Sequence, residues 1–164
     1  AVWLAINLAT AILAASVIGV FQDTIEKVVA LAVLMPIVAS MGGIAGTQSL
    51  TVLIRAMAMG QINDRTEMWL VRREILVSII NGLLWAAVIA VIASYWFGDI
   101  TLGIIIAVAI VINLITAGIA GASLPLILDR LDIDPALAGG VVLTTITDVV
   151  GFLAFLGLAA YFYG

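Results

Sequence analysis

The sequence predicts an all-α polytopic membrane protein with five transmembrane helices in each subunit. Two observations carry that prediction. Of 164 residues, 65% are hydrophobic and only 10% charged, whereas a soluble domain is about one-quarter charged. The apolar residues also fall in runs of at least the ~20 residues that a helix needs to cross a ~30 Å hydrocarbon core.

The spans run over about 1–21, 28–57, 75–97, 100–128 and 136–163. The first carries no charge and ends at FQDTIEK. The second holds Pro36 and three glycines and ends at GQINDRTEMWLVRRE, whose residues 60–74 are predicted to form an amphipathic surface helix through Ile62, Met68, Trp69 and Leu70. The third closes on FGD. In the fourth, Ala117, Gly118, Ala120, Gly121 and Ala122 form a small-residue patch suited to close helix packing, and Pro125 is expected to end or kink the helix. DRLDIDP leads into the fifth. Trp3, Tyr95, Trp96, Tyr161 and Tyr163 stand near span ends, as interfacial aromatic residues do.

Basic residues set the expected orientation. Arg55 sits near the end of the second span, Arg65, Arg72 and Arg73 follow it, and Arg130 follows the fourth, while the opposite loops hold only Lys27. The positive-inside rule then places the amino-terminal end in the cytosol and the carboxyl terminus outside a cell (inner) membrane. The chain begins at Ala1 with neither methionine nor basic leader, so it is expected to be a piece of a longer protein. An odd number of spans cannot divide into two equal repeats. A pathway therefore sits more naturally on a homodimer axis than inside one subunit.

The chain has no cysteine and no histidine. This excludes disulfides, thiol nucleophiles and zinc or haem ligation by those residues. Oxygen ligands remain, and they suit hard cations such as Mg²⁺ or Ca²⁺. Most polar residues within spans have a packing explanation: Asn7, Asn81 and Asn113 as interhelical hydrogen-bonding groups, and Ser78, Thr116 and Ser123 as back-bonded hydroxyls.

Asp148 differs. It lies in VVLTTITDVVGFLAFLGLA, with no other ionisable side chain within a dozen residues. A carboxylate at mid-membrane costs ~2.5–3.5 kcal/mol even on the lenient insertion scale, and no intramembrane base is available to pair with it. Helical spacing puts Gly140, Thr144, Thr147, Asp148 and Gly151 on one side of the fifth span, a narrow polar stripe suited to a water-filled path. In PIVASMGGIAGTQ, residues 36–48, Gly42 and Gly46 form a GxxxG packing motif. Gly43, Thr47 and Gln48 exceed that motif. Pro36 frees a carbonyl, and glycines let the backbone approach an ion's hydration shell. Loosened backbone is expected here, as part of a pore wall.

These blocks, MPIVASMGGIAGTQSLTVLIRAMAMGQI with the later IDPALAGG and TTITDVVGF, resemble the transmembrane domain of MgtE-type magnesium channels, over all five spans. The resemblance implies a homodimeric channel, not an enzyme, that passes hydrated Mg²⁺ through a dimer-axis pore lined by the second and fifth helices. Asp148 would face the ion, with Gly42, Gly43, Gly46, Gln48, Gly140, Thr144, Thr147 and Gly151 lining the path. It also implies cytosolic regulatory domains in the full-length protein that close the pore when Mg²⁺ is high. Asp134, with Asp132 second, would then meet them as a regulatory Mg²⁺ residue. Ile44 and Thr147 stand where the family often has Asn, so side-chain amide contacts are not carried over. A lipid bilayer and a second copy are the expected partners, and no nucleic acid. The competing readings are an ion-coupled secondary transporter using Asp148 as its cation or proton site, an intramembrane aspartyl protease, which would need two carboxylates, and a structural membrane module.

Overall fold

The computed structural model describes residues 2–164. Ala1, with which the first predicted span begins, lies outside the described residues, as do the side chains of Asp64 and Arg65, the latter one of the bases counted for orientation. The elements are α1 (Val2–Val20), α2 (Gln22–Lys27), α3 (Ala30–Ala58), α4 (Asp64–Phe97), α5 (Ile100–Arg130) and α6 (Pro135–Tyr163). No strand occurs among the described residues. Five helices are long and apolar enough to cross a membrane, and α2 is the FQDTIEK break wound into a short helix.

Local chemistry sets the ends. Gly60 takes φ +65° after α3, where its N–H donates to the Met57 carbonyl at 2.9 Å and the Gln61 N–H donates to Ala56 at 3.0 Å. This is a left-handed helix stop of the kind glycine permits. Gly98, at φ +67°, turns the chain from α4 to α5. Asp99 then caps α5, accepting from the N–H groups of Thr101 at 2.8 Å and Leu102 at 3.3 Å. Asp134 caps α6 by accepting from the Ala136 N–H at 2.8 Å, with Pro135 in the first turn.

Three expectations are corrected. Residues 60–74 do not form a separate surface helix: α4 runs unbroken from Asp64. Glu67, Met68, Leu70, Arg72 and Arg73 are good helix formers, Arg73 lies over the Trp69 ring at 5.7 Å, and Glu67 pairs with Arg130 of α5 at 2.7 Å. Pro125 does not end α5, which continues to Arg130; the residue is buried among neighbouring helices, which hold the segment helical. The backbone of 36–48 is not loosened either. α3 stays helical through Pro36 and all three glycines, because two of those glycines are seated against other helices.

α5 is the hub, packed against α3, α4 and α6, while α1 rests on α6. The main core joins Leu31, Leu34 and Val38 of α3 to Ile106, Ile110 and Leu114 of α5 and Phe155 and Leu156 of α6. A smaller cluster joins Leu50, Ala120 and Leu143. In a bilayer, lipid is as apolar as leucine, so close packing by small residues must supply the attraction between helices. That is how α4 meets α5. A Cβ on Gly103 would stand 1.9 Å from Ser94 Oγ, and one on Gly118 would stand 2.1 Å from Ser78 Oγ. The buried Ser49 Oγ donates to the buried Glu74 carboxylate at 2.9 Å, tying α3 to α4.

Candidate functional site

Between α3 and α6 lies an open groove of about 360 Å³, lined by Ser40, Gly43, Ile44, Thr47, Gln48 and Thr144. Its threonines are committed. Thr47 Oγ1 donates to the Gly43 carbonyl at 2.7 Å and Thr144 Oγ1 to the Gly140 carbonyl at 3.0 Å. A hydroxyl has one proton and two lone pairs, so with the proton spent on its own helix each threonine presents only acceptor oxygen to the groove. A Cβ on Gly43 would meet nothing within 4 Å, and the same holds for Gly140. Within the described chain, neither glycine is required there for packing.

One turn past Thr144, Asp148 lies half-buried beside a niche of about 30 Å³ bounded by Asn7, Thr10 and Ala11 of α1 and by Thr144 and Thr145. A site of that volume admits a water or two. Neither α1 nor α6 contains a basic residue. Among the described residues, the Asp148 carboxylate has no hydrogen-bond or ion-pair partner. Thr144 borders both spaces, so the groove and the carboxylate niche meet at one side chain.

The structure divides the residues singled out in the sequence. Gly43, Gln48 and Thr144 line the groove, Gly140 lies half-buried one turn before Thr144, and Asp148 faces the niche. Gly42, Gly46, Thr147 and Gly151 turn into the bundle. Gly42 meets Asn113, and Gly46 meets Leu143. Thr147 is fully buried and back-bonded to Leu143 at 3.2 Å, and Gly151 meets Asn113 from α6. The stripe on the fifth span is thus split between an open and a buried side. Asp134, besides capping α6, lines a cavity of about 260 Å³ at the end of α3 with Ile54, Met57, Ala58 and Asp129, while Asp132 is exposed with φ 56°. Sequence reasoning missed Thr10 and Thr145 beside Asp148, and gave Asn7 only a packing role. The available signal was the spacing of Asn7 and Thr10, which puts both on one face of an uncharged helix.

Fold and site together define a polytopic α-helical membrane protein with an open, largely apolar groove that carries a few polar side chains and, among the described residues, one unpaired carboxylate within its spans. The profile of the MgtE divalent cation transporter family matches residues 35–158, and the chain belongs to that family. It is 37% identical over 160 residues to the magnesium transporter MgtE of Bacillus subtilis, an alignment covering 98% of this chain and 36% of that protein. It is 34% identical over 157 residues to the magnesium transporter MgtE of Thermus thermophilus, covering 96% and 35%. The chain spans about a third of the length of these relatives.

Proposed function

We propose that this chain is the membrane-embedded path of a Mg²⁺ channel. Hydrated ions enter the cytosol along the α3–α6 face, with the pore on the two-fold axis of a homodimer. The observation that carries the reading is the unpaired Asp148 carboxylate, joined through Thr144 to an open groove that holds the acceptor oxygens of Thr47 and Thr144. Mg²⁺ requires near-octahedral oxygen at ~2.1 Å and dehydrates reluctantly. A wall that accepts hydrogen bonds from the ion's own water shell avoids the dehydration cost. Two Asp148 carboxylates facing each other across an axis would repel when empty and favour a divalent ion between them. Gln48 and Gly43 continue the wall along α3. The basic residues around the α3–α4 and α5–α6 connections support a cytosolic amino-terminal end. In the full-length protein, cytosolic regulatory domains would meet the Asp134 end, where Mg²⁺ would act as a regulatory ion.

The test is Mg²⁺ flux and unitary current of the full-length protein in lipid bilayers, with Asp148→Asn and Asp148→Ala. Both variants are expected to lose at least about tenfold in Mg²⁺ flux, equivalent to ~1.4 kcal/mol. Wild-type conduction and selectivity in both would remove Asp148 from the path. Flux without ohmic unitary current would transfer Asp148 to an ion-coupled transporter.

A further inference from the structure

We propose that Asn113 is a positioning residue for this path: its carboxamide is the spacer that sets how α3 and α6 lie against α5, and Gly42 and Gly151 are glycines because of it. The inference rests on the α3–α6 face being the ion path. Asn113 is fully buried at the middle of α5. Its Nδ2 donates to the Val38 carbonyl of α3 at 2.8 Å, one turn before Gly42. A Cβ on Gly42 would stand 2.3 Å from Nδ2, 2.7 Å from Cγ and 2.8 Å from Oδ1. From the other side, a Cβ on Gly151 of α6 would stand 2.7 Å from Nδ2 and 3.0 Å from Cγ, and also 3.0 Å from Val38 Cγ1. Two helices therefore close on one planar amide. With two helices in contact with the same atoms of the amide, and Val38 also at 3.0 Å from the Gly151 Cβ position, little room is left for it to retreat from an added methyl group.

The amide is not there for stability alone. Among the described residues its buried Oδ1 has no hydrogen-bond partner, and an unsatisfied buried acceptor costs ~1–3 kcal/mol. An apolar side chain of similar volume would avoid that cost, but could not bond to Val38. What the amide adds is register. The bond to Val38 fixes α3 lengthwise against α5, and Gly43, Thr47 and Gln48 reach the groove only in that register. The contact with Gly151 acts three residues beyond Asp148, and so fixes the rotation of α6 that turns Asp148 and Thr144 to the open side. A buried polar group that specifies register at some expense of stability has precedent in coiled coils.

The test uses the full-length protein in proteoliposomes, reading Mg²⁺ influx and, separately, the apparent unfolding midpoint. Gly42→Ala is expected to lower influx about tenfold and to lower the midpoint, with a coupling to Asn113 in the range found for contacting residues. Asn113→Ser shortens the side chain yet keeps a donor for Val38, so Gly42→Ala with Asn113→Ser is expected to recover influx to within about threefold of wild type. Gly42→Ala with Asn113→Ala is expected to recover the midpoint but not the influx. If neither partner substitution rescues Gly42→Ala, or if Ala rescues influx as well as Ser does, the proposal is overturned. Should Gly42→Ala fail to fold, the single variants decide: Asn113→Ser must conduct better than Asn113→Ala, and equal influx overturns the proposal. Coupled midpoints with influx unchanged in every variant would keep the spacer while removing the α3–α6 face as the path.

Discussion

A single carboxylate joins the ends of the last two spans, and its removal can be worked through in parts. One oxygen of Asp99 accepts from the Thr101 and Leu102 N–H groups, capping α5. The other accepts from the Tyr163 hydroxyl, at the last turn of α6. Tyr163→Phe removes the second link alone; Asp99→Ala removes both. A lost N-cap costs ~1 kcal/mol. A hydrogen bond to a charged acceptor is worth ~1.5–3 kcal/mol, and the partly exposed position puts this one at the lower end. Tyr163→Phe is therefore expected to destabilise by ~1.5 kcal/mol and Asp99→Ala by ~2.5 kcal/mol, with the double variant no worse than Asp99→Ala. The Tyr163 hydroxyl, helped by the α5 backbone amides and opposed by partial burial, holds the Asp99 carboxyl below its ordinary range. A carboxyl lowered on folding contributes stability that is full above its unfolded-state pKa and lost as pH falls through the folded-state value. The window here lies below pH ~4. The assay is the apparent unfolding midpoint in lipid nanodiscs from pH 3 to 7. Tyr163→Phe should narrow the gap between its acid and neutral midpoints. An unchanged pH profile in Tyr163→Phe, or an Asp99→Ala variant no less stable than Tyr163→Phe, would refute the two-part account.

Two further outcomes follow from the packing and from the groove. Gly103→Ala places a Cβ 1.9 Å from Ser94 Oγ and 2.6 Å from the Ala90 carbonyl. It should destabilise by ~1–3 kcal/mol, and Ser94→Ala should restore only part of this, because the backbone oxygen cannot be removed; thermal unfolding of the three variants checks it. Thr144→Val keeps the branched shape and removes the acceptor oxygen shared by the groove and the Asp148 niche. Mg²⁺ influx should fall severalfold with little change in unfolding midpoint, while Thr144→Ser should conduct like wild type.

The spans, the family and the isolation of Asp148 were legible in the sequence because each is a property of a segment on its own. Hydropathy needs no partner helix, and neither does the absence of any basic residue from the fifth span. Helix limits were less legible, since hydropathy reports where the bilayer ends and not where the helix does. Met68, Trp69 and Leu70 therefore looked like a separate element although they form the early turns of α4. That Pro125 does not end its helix was not legible, because its local cost was visible and the surrounding helices that hold it were not. The facing of each glycine was not legible at all. Gly42 and Gly43 differ by one position and therefore by about 100° around the helix, and only the placement of α5 decides which of them is buried.

That one-residue difference bears on what the glycines are for. Gly42, Gly46 and Gly151 each sit where a methyl group would strike another helix, so their small size is consumed inside the protein. Gly43 and Gly140 have open space where a side chain would be, and both lend their carbonyls to a threonine one turn later, Thr47 and Thr144. Each such pair turns a hydroxyl proton away from the groove and leaves its oxygen facing outward. A hydrated cation presents the hydrogens of its water shell, so a wall for it needs acceptors. The Gly–x–x–x–Thr pairs of α3 and α6 supply such oxygens at two places that Thr144 links to Asp148. The glycine-rich stretch of the second span therefore contains glycines with two different physical reasons: Gly42 and Gly46 seat the helix, and Gly43 leaves open the face along which the proposed ion moves.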